Sequence, residues 1–275
     1  MRKSIIFWNG NKSPTRQQYE LDILRLALRS SSAGFADLHI VEDRQDYPEP
    51  EQEGAILLNS ADVCVTVAGN PKFLPDTYIP IHIPLMKGLL GHRLLIIRDA
   101  EQPVFADLSS IEALRGKTAG IPATWADATL FRHNHCLVDE YGQLQDVMNR
   151  LADGHCDYVA LGANEIHDVF DQLSDYTESL VIESTLRLYY PYALVFYVSP
   201  RREELAIAIQ QGLQTALLDG AFDKLFHAHN QACLASADLS HRREIALVNP
   251  LLPKEIMPSL KEVKSSLLAE SVNRF

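Results

Sequence analysis

Leu108–Asp157, LSSIEALRGKTAGIPATWADATLFRHNHCLVDEYGQLQDVMNRLADGHCD, decides the fold class, because it reads as two consecutive strand–helix–strand units. With Asp107 in front, Asp107–Lys117 is a short helix closed by a glycine and a base. Thr118–Pro122 is a short buried strand, and Ala123-Thr124-Trp125-Ala126-Asp127 opens a helix with small and capping residues. Cys136-Leu137-Val138 is the next strand. Gly142–Asp153 then places Leu144, Val147, Met148 and Leu151 at helical spacing. After Gly154, the run Cys156–Gly162 is a third strand ending in small residues. Alternation of this kind predicts an α/β fold with a parallel sheet, whose ligands sit beyond the carboxyl ends of the strands.

Outward from that stretch the pattern is coarser. Ser4–Trp8 is a strand leading into a helix that begins near Ser13-Pro14-Thr15, with Leu21, Ile23, Leu24, Ala27 and Leu28 as its apolar face. Leu38–Val41 and the run from Val63 are further strands. Gln52–Leu58 is helical, and Ile79–Pro84 is extended because its prolines forbid a helix. Leu94–Ile97 is a buried strand expected to complete the first lobe before a crossing near Gln102-Pro103. The chain returns near Tyr189–Phe196 and forms a helix over Arg202–Leu218. Asn249–Pro253 is an extended arm that a weak helix follows.

Composition excludes several classes of function. The 275 residues carry 25 Lys+Arg against 36 Asp+Glu, a formal net charge of −11 with no basic cluster, which argues against nucleic acid as a partner. No apolar run reaches the roughly 18 residues of a spanning helix. Met1-Arg2-Lys3 has the charge of a signal n-region, but no apolar stretch follows. Cys64, Cys136, Cys156 and Cys233 are scattered without a C-x-x-C, and Cys64 reads as a buried small hydrophobe.

The quoted residues resemble the second lobe of family 3 extracellular solute-binding proteins, the polar amino acid type, which have the type II periplasmic-binding-protein fold. Asp107-Leu108, Leu114-Arg115-Gly116-Lys117 and Gly120-Ile121 match that family's opening pattern. Leu151–Gly154 with Asp157-Tyr158-Val159 match its approach to the third strand. Tyr192–Phe196 and Leu213–Gly220 resemble its return strand and following helix. The resemblance implies an α/β architecture of two Rossmann-like lobes joined by a two-crossing hinge, with residues 1–101 and 192–275 as lobe one and 102–191 as the inserted lobe two. It also implies a monomer that closes on a small polar or aromatic solute for an ABC-type permease or a membrane sensor. No cofactor, metal or catalytic residue is called for. The implied location is periplasmic or extracytoplasmic, with the signal segment removed from this chain; a cytoplasmic protein is the alternative.

The same resemblance marks four ligand-side segments: Trp8-Asn9-Gly10, Gly69–Lys72, Ala123–Trp125 and Gly162–Glu165. The candidate binding residues are Trp8, Asn9, Asn70, Lys72, Arg93, Thr124, Trp125, Asn164 and Glu165. Thr124 is read as a hydroxyl donor at a helix N-terminus that takes an anion. Trp8 and Trp125, the only 2 tryptophans, are read as opposing ring walls of an inter-lobe site or, alternatively, as partly buried packing residues. Two family anchors are missing. The loop Gly69–Leu74 has no Arg to fork onto an α-carboxylate, and Lys72 is only a point charge. Gly162 stands where the family places the Asp that takes the α-ammonium. Ordinary α-amino acids are therefore not the expected ligand, and Arg93 and Glu165 are the candidate substitutes.

Other readings stay open. His133 and His135 beside Cys136 have the spacing of a zinc or copper set if extended, and diverge if helical. His227 and His229 repeat that spacing. A disulfide between Cys136 and Cys156 is possible but disfavoured, since the fold's usual order puts a strand between them. The runner-up function is an enzyme on this scaffold, a dehydratase acting on a small cyclic carboxylic acid, with Glu165, His92 or His167 as general acid/base. A third is a degenerate homologue that binds nothing.

Overall fold

The computed structural model describes residues 4–32, 34, 35, 37–172, 179–257 and 260. The chain packs into two units. One holds the chain up to Met86, Ala193–Gln231 and a short piece from Pro253; the other holds Lys87–Tyr192 and Ala232–Leu252 among its parts.

The first unit is built on a five-stranded sheet in the order β2-β1-β3-β11-β4. Its strands are β1 (Ser4–Trp8), β2 (His39–Asp43), β3 (Val63–Val67), β4 (Ile79–Ile81) and β11 (Leu194–Val198). β1 runs parallel to β2 and β3, while β11 is antiparallel to β3 and β4. The first helix, Pro14–Ser30, starts as the sequence predicts: the Ser13 side chain caps it and Pro14 occupies the first turn. Its buried face is Leu21, Ile23, Leu24, Ala27 and Leu28. It packs against the helix Glu203–Leu218 so closely that a Cβ on Gly212 would lie 1.7 Å from the Ala27 carbonyl oxygen. Only glycine permits that approach.

The second unit carries a seven-stranded sheet, β12-β10-β5-β8-β6-β7, with β9 paired to β5. Its strands are β5 (His92–Arg98), β6 (Thr118–Ile121), β7 (Leu137–Glu140), β8 (Tyr158–Gly162), β9 (Leu180–Ile182), β10 (Leu186–Tyr189) and β12 (Arg243–Ala246). β6 pairs in parallel with β7 and β8, the arrangement read from the alternating pattern. The helix Leu144–Ala152 between β7 and β8 has a Gln143/Asp146 capping box and buries Val147, Met148 and Leu151.

Several elements differ from the sequence reading. β5, expected to close the first sheet, pairs with β8, β9 and β10 in the second. Its apolar run fits either sheet, and the partner is set by tertiary pairing rather than by the strand itself. The helix foreseen over Asp107–Lys117 is only Ile111–Leu114, because the Ser110 side chain caps it late. Gln52–Leu58 resolves into two short helices, Pro50–Gly54 and Ile56–Asn59. The helix Ala221–Ala237 and β12 were not foreseen. The weak tail helix falls largely on residues outside those described. The four cysteines are free thiols, and β6 lies between the strands that follow Cys136 and Cys156. Among the described residues no group of three metal-ligating side chains occurs, and no helix is long and apolar enough to cross a membrane.

Candidate functional site

β6 and β8 run the same way and β5 runs against β8, with Arg93 opposite Gly162. β10 in turn runs against β5, pairing Tyr189 with His92. One edge of the second sheet therefore gathers the start of β5 and the loops leaving β6, β8 and β10. Arg93, Pro122–Asp127, Gly162–Glu165 and Tyr190–Tyr192 all sit there. This is the edge at which an α/β fold places ligands.

At its centre is the Arg93 guanidinium, whose side chain is 3 % exposed. Its Nη2 donates to Asp127 Oδ1 at 3.0 Å, and Nη1 stands 4.0 Å from Glu165 Oε1. The Tyr190 hydroxyl donates to the same Asp127 oxygen at 2.6 Å, and the Tyr192 hydroxyl donates to the other at 3.0 Å. The guanidinium also lies 5.2 Å from the Tyr190 ring centre and 4.9 Å from that of Tyr192, within cation–π range. Both rings are buried and meet edge to face. Burial acts against the charge on Arg93, but Tyr190, Asp127, Tyr192 and Glu165 outweigh it and raise its pKa. Burial also holds the Tyr190 hydroxyl well above the usual tyrosine range; Arg93 opposes this, and Asp127 reinforces it. The phenol stays a donor.

Among the described residues, Arg93 Nε and Asn164 Oδ1 are buried here without a hydrogen-bond partner. Asn164 is buried and Glu165 half-buried. Thr124 is exposed, with a left-handed φ of 70°, an uncommon conformation for a β-branched residue. Its N–H donates to Glu140 Oε1 at 3.1 Å. The helix begins one residue later than the sequence suggests, at Ala126, with half-buried Trp125 as a cap lacking any side-chain bond. Asp127, in the first turn, is the acid that faces the helix N-terminus. A recess of 10 Å³ lined in part by Pro122, Trp125, Asp127 and Phe131 has room for about one water.

The first-unit candidates are committed to their own unit. Trp8 is 1 % exposed. Its indole N–H donates to the Gln45 carbonyl at 2.9 Å, with Tyr47 and Lys12 against the ring. As a ring wall it offers no accessible face, because packing and a hydrogen bond already cover it. Asn9 is fully buried, donating to the Gln17 carbonyl and to Glu42. Asn70 donates to Thr66 and accepts from the Lys72 N–H. Lys72 is paired with Glu53 at 2.8 Å, and Lys12 with the buried Glu20. A hollow of 580 Å³ in this unit lies at the opposite edge of the sheet, where Asp62 precedes β3. Its cations are engaged, Arg201 by the Leu57 and Leu58 carbonyls and Arg202 by Asp62, so its size carries no ligand chemistry.

The acid/base candidates fare differently. Glu165 belongs to the Arg93 cluster. His92 is fully buried against Tyr189, with ring centres 4.8 Å apart. His167, on the short helix Ile166–Asp171, has its pKa lowered by burial and then by Arg242. Sequence reasoning missed Asp127, Tyr190 and Tyr192. The signals present were an acid in the first turn of a helix and the aromatic run Tyr189-Tyr190-Pro191-Tyr192.

No protein-family model and no curated protein matches the chain. Solved structures do. The VFT2 domain of Bordetella pertussis BvgS, as an F375E/Q461E double mutant, aligns over 82% of this chain and 93% of its own at TM-score 0.60 and 16% identity. The Streptococcus pneumoniae amino acid ABC transporter substrate-binding protein AbpA, bound to L-arginine, aligns over 84% and 96% at TM-score 0.55 and 12% identity. The chain has the type II periplasmic-binding-protein fold. The GluR0 ligand-binding core of Nostoc punctiforme, in complex with L-glutamate, has it too: TM-score 0.54, 16% identity, 82% of this chain and 98% of that one. At these identities the likeness concerns the fold, and the ligand must be argued from the residues.

Proposed function

We propose that the protein is an extracytoplasmic solute-binding module, monomeric, that captures a small polar or aromatic molecule for an ABC-type permease or a membrane sensor. One observation carries the reading. A buried guanidinium, two tyrosines and two carboxylates converge at the carboxyl edge of β6, β8 and β10, with Trp125 and Asn164 beside them. Ion pairs this thoroughly desolvated rarely add net stability over apolar packing. Their concentration at a fold's ligand edge therefore supports recognition rather than scaffolding. Arg93 and Glu165 were the candidate substitutes for the two missing amino acid anchors, but Arg93 already holds the Asp127 carboxylate, so an ordinary α-amino acid is not the solute.

The test is a thermal-shift screen of the whole chain with amino acids, amines, organic acids, nucleobases and sugars, followed by calorimetry on each hit. The expected result is a hit whose affinity falls at least tenfold in Trp125→Ala and in Glu165→Gln. A screen without a hit, or a hit indifferent to both variants, refutes the reading.

A further inference from the structure

We propose that Asp127 is an internal ligand: its carboxylate fills a carboxylate receptor formed by Arg93, Tyr190 and Tyr192, and so sets the second unit against solutes that carry a carboxylate. The receptor is complete without Asp127. One cationic N–H and two phenolic O–H groups aim at a single carboxylate, at 3.0, 2.6 and 3.0 Å, and both of its oxygens are engaged. Charge-assisted donors of this kind are what a buried carboxylate requires. They come from two separate parts of the chain, the start of β5 and the segment around Pro191, 34, 63 and 65 residues from Asp127.

The guest differs from its hosts. Asp127 is a short side chain in the first turn of the helix Ala126–His133, where the helix dipole also favours an anion. Cutting it back to glycine removes the equivalent of one acetate. The host keeps unspent capacity, since Arg93 Nε is buried without a partner among the described residues and Nη1 reaches only to 4.0 Å from Glu165. A solute carboxylate arriving at this edge therefore finds its place taken and meets the negative charges of Asp127 and Glu165. A neutral or cationic group meets no such opposition. This specificity role rests on the solute-binding reading; the internal-ligand geometry does not.

The experiment replaces the guest. Asp127→Gly is mixed with sodium formate or acetate, and with formamide and sodium chloride as controls, and the thermal midpoint is followed. Formate and acetate should raise the midpoint saturably, with half-saturation of roughly millimolar order for so small a ligand. The controls should not, and wild type should respond at least tenfold less. Adding Arg93→Met to Asp127→Gly should abolish the response. If Asp127→Gly does not fold, Asp127→Ala restores helix propensity, still empties the receptor and still removes the carboxylate that Arg93 holds at 3.0 Å. It too should respond to formate more than wild type does. A wild-type response equal to the variant's, or a folded variant that responds to neither carboxylate, overturns the proposal. So does a wild-type solute whose carboxylate is bound through Arg93. An empty solute screen alongside a formate response in Asp127→Gly would instead overturn the solute-binding reading and leave the internal ligand standing.

Discussion

Replacing Arg93 with methionine tests whether the guanidinium belongs to a closed, desolvated network. The substitution keeps a long unbranched side chain but leaves Asp127 with only the two tyrosine hydroxyls, at 2.6 and 3.0 Å. Breaking a buried ion pair from one side costs about 3–5 kcal/mol, because a charge is left behind. Here the two hydroxyls still stabilise the carboxylate, which moves the ion-pair part toward ~3 kcal/mol. Loss of the guanidinium over two rings adds ~0.5–2 kcal/mol each for desolvated cation–π contacts, so ~4–7 kcal/mol is expected in all. Urea unfolding read from Trp125 fluorescence in a Trp8→Phe background follows the second unit separately. The double variant Arg93→Met/Asp127→Leu removes both charges and should be the more stable of the two, by ~1–3 kcal/mol, despite the hydroxyls that lose their acceptor. A cost below about 1 kcal/mol for Arg93→Met, or a double variant less stable than the single, would show that the pair is solvated and the network open.

Gly212→Ala should destabilise the first unit by ~3 kcal/mol or more in urea unfolding, since the new methyl meets a backbone oxygen that cannot swing away; a cost under ~1 kcal/mol would contradict the helix contact. Trp8→Ala should cost ~3–5 kcal/mol of stability as a filled-core truncation. Any solute that binds wild type should bind this variant, if it folds, with affinity changed less than threefold. Because the folded-state pKa of His167 is depressed below 6.5, its stabilising term is present above that value and is lost as pH falls below it. His167→Gln should accordingly flatten the stability–pH curve below pH 6.5, and an unchanged slope would refute the assignment. Thiol titration of the native chain should label Cys64, Cys136 and Cys156 slowly, because burial raises all three pKa values. All 4 cysteines should react on unfolding.

What the sequence determined by itself is local. Pro14 behind Ser13, the helical spacing of Val147, Met148 and Leu151, and the short apolar strands between Thr118 and Gly162 each specify an element from within a few residues. Their alternation was enough for the parallel β7-β6-β8 part of a mixed sheet, because the crossovers leave few other ways to bury both faces. Glu165 and Arg93 were legible as charges beside a missing anchor. What only the tertiary structure decided is partnership. β5 is apolar throughout, and nothing within it says which sheet it completes. Trp8 ends its strand, where a cleft residue could sit, yet Gln45 and Tyr47, far along the chain, cover it. Asp127 looks like an ordinary first-turn acid until β5 and the Tyr190–Tyr192 segment bring three donors to it. Those contacts join residues dozens of positions apart, so no periodicity records them; they follow from strand pairing, which is fixed only when the sheet forms.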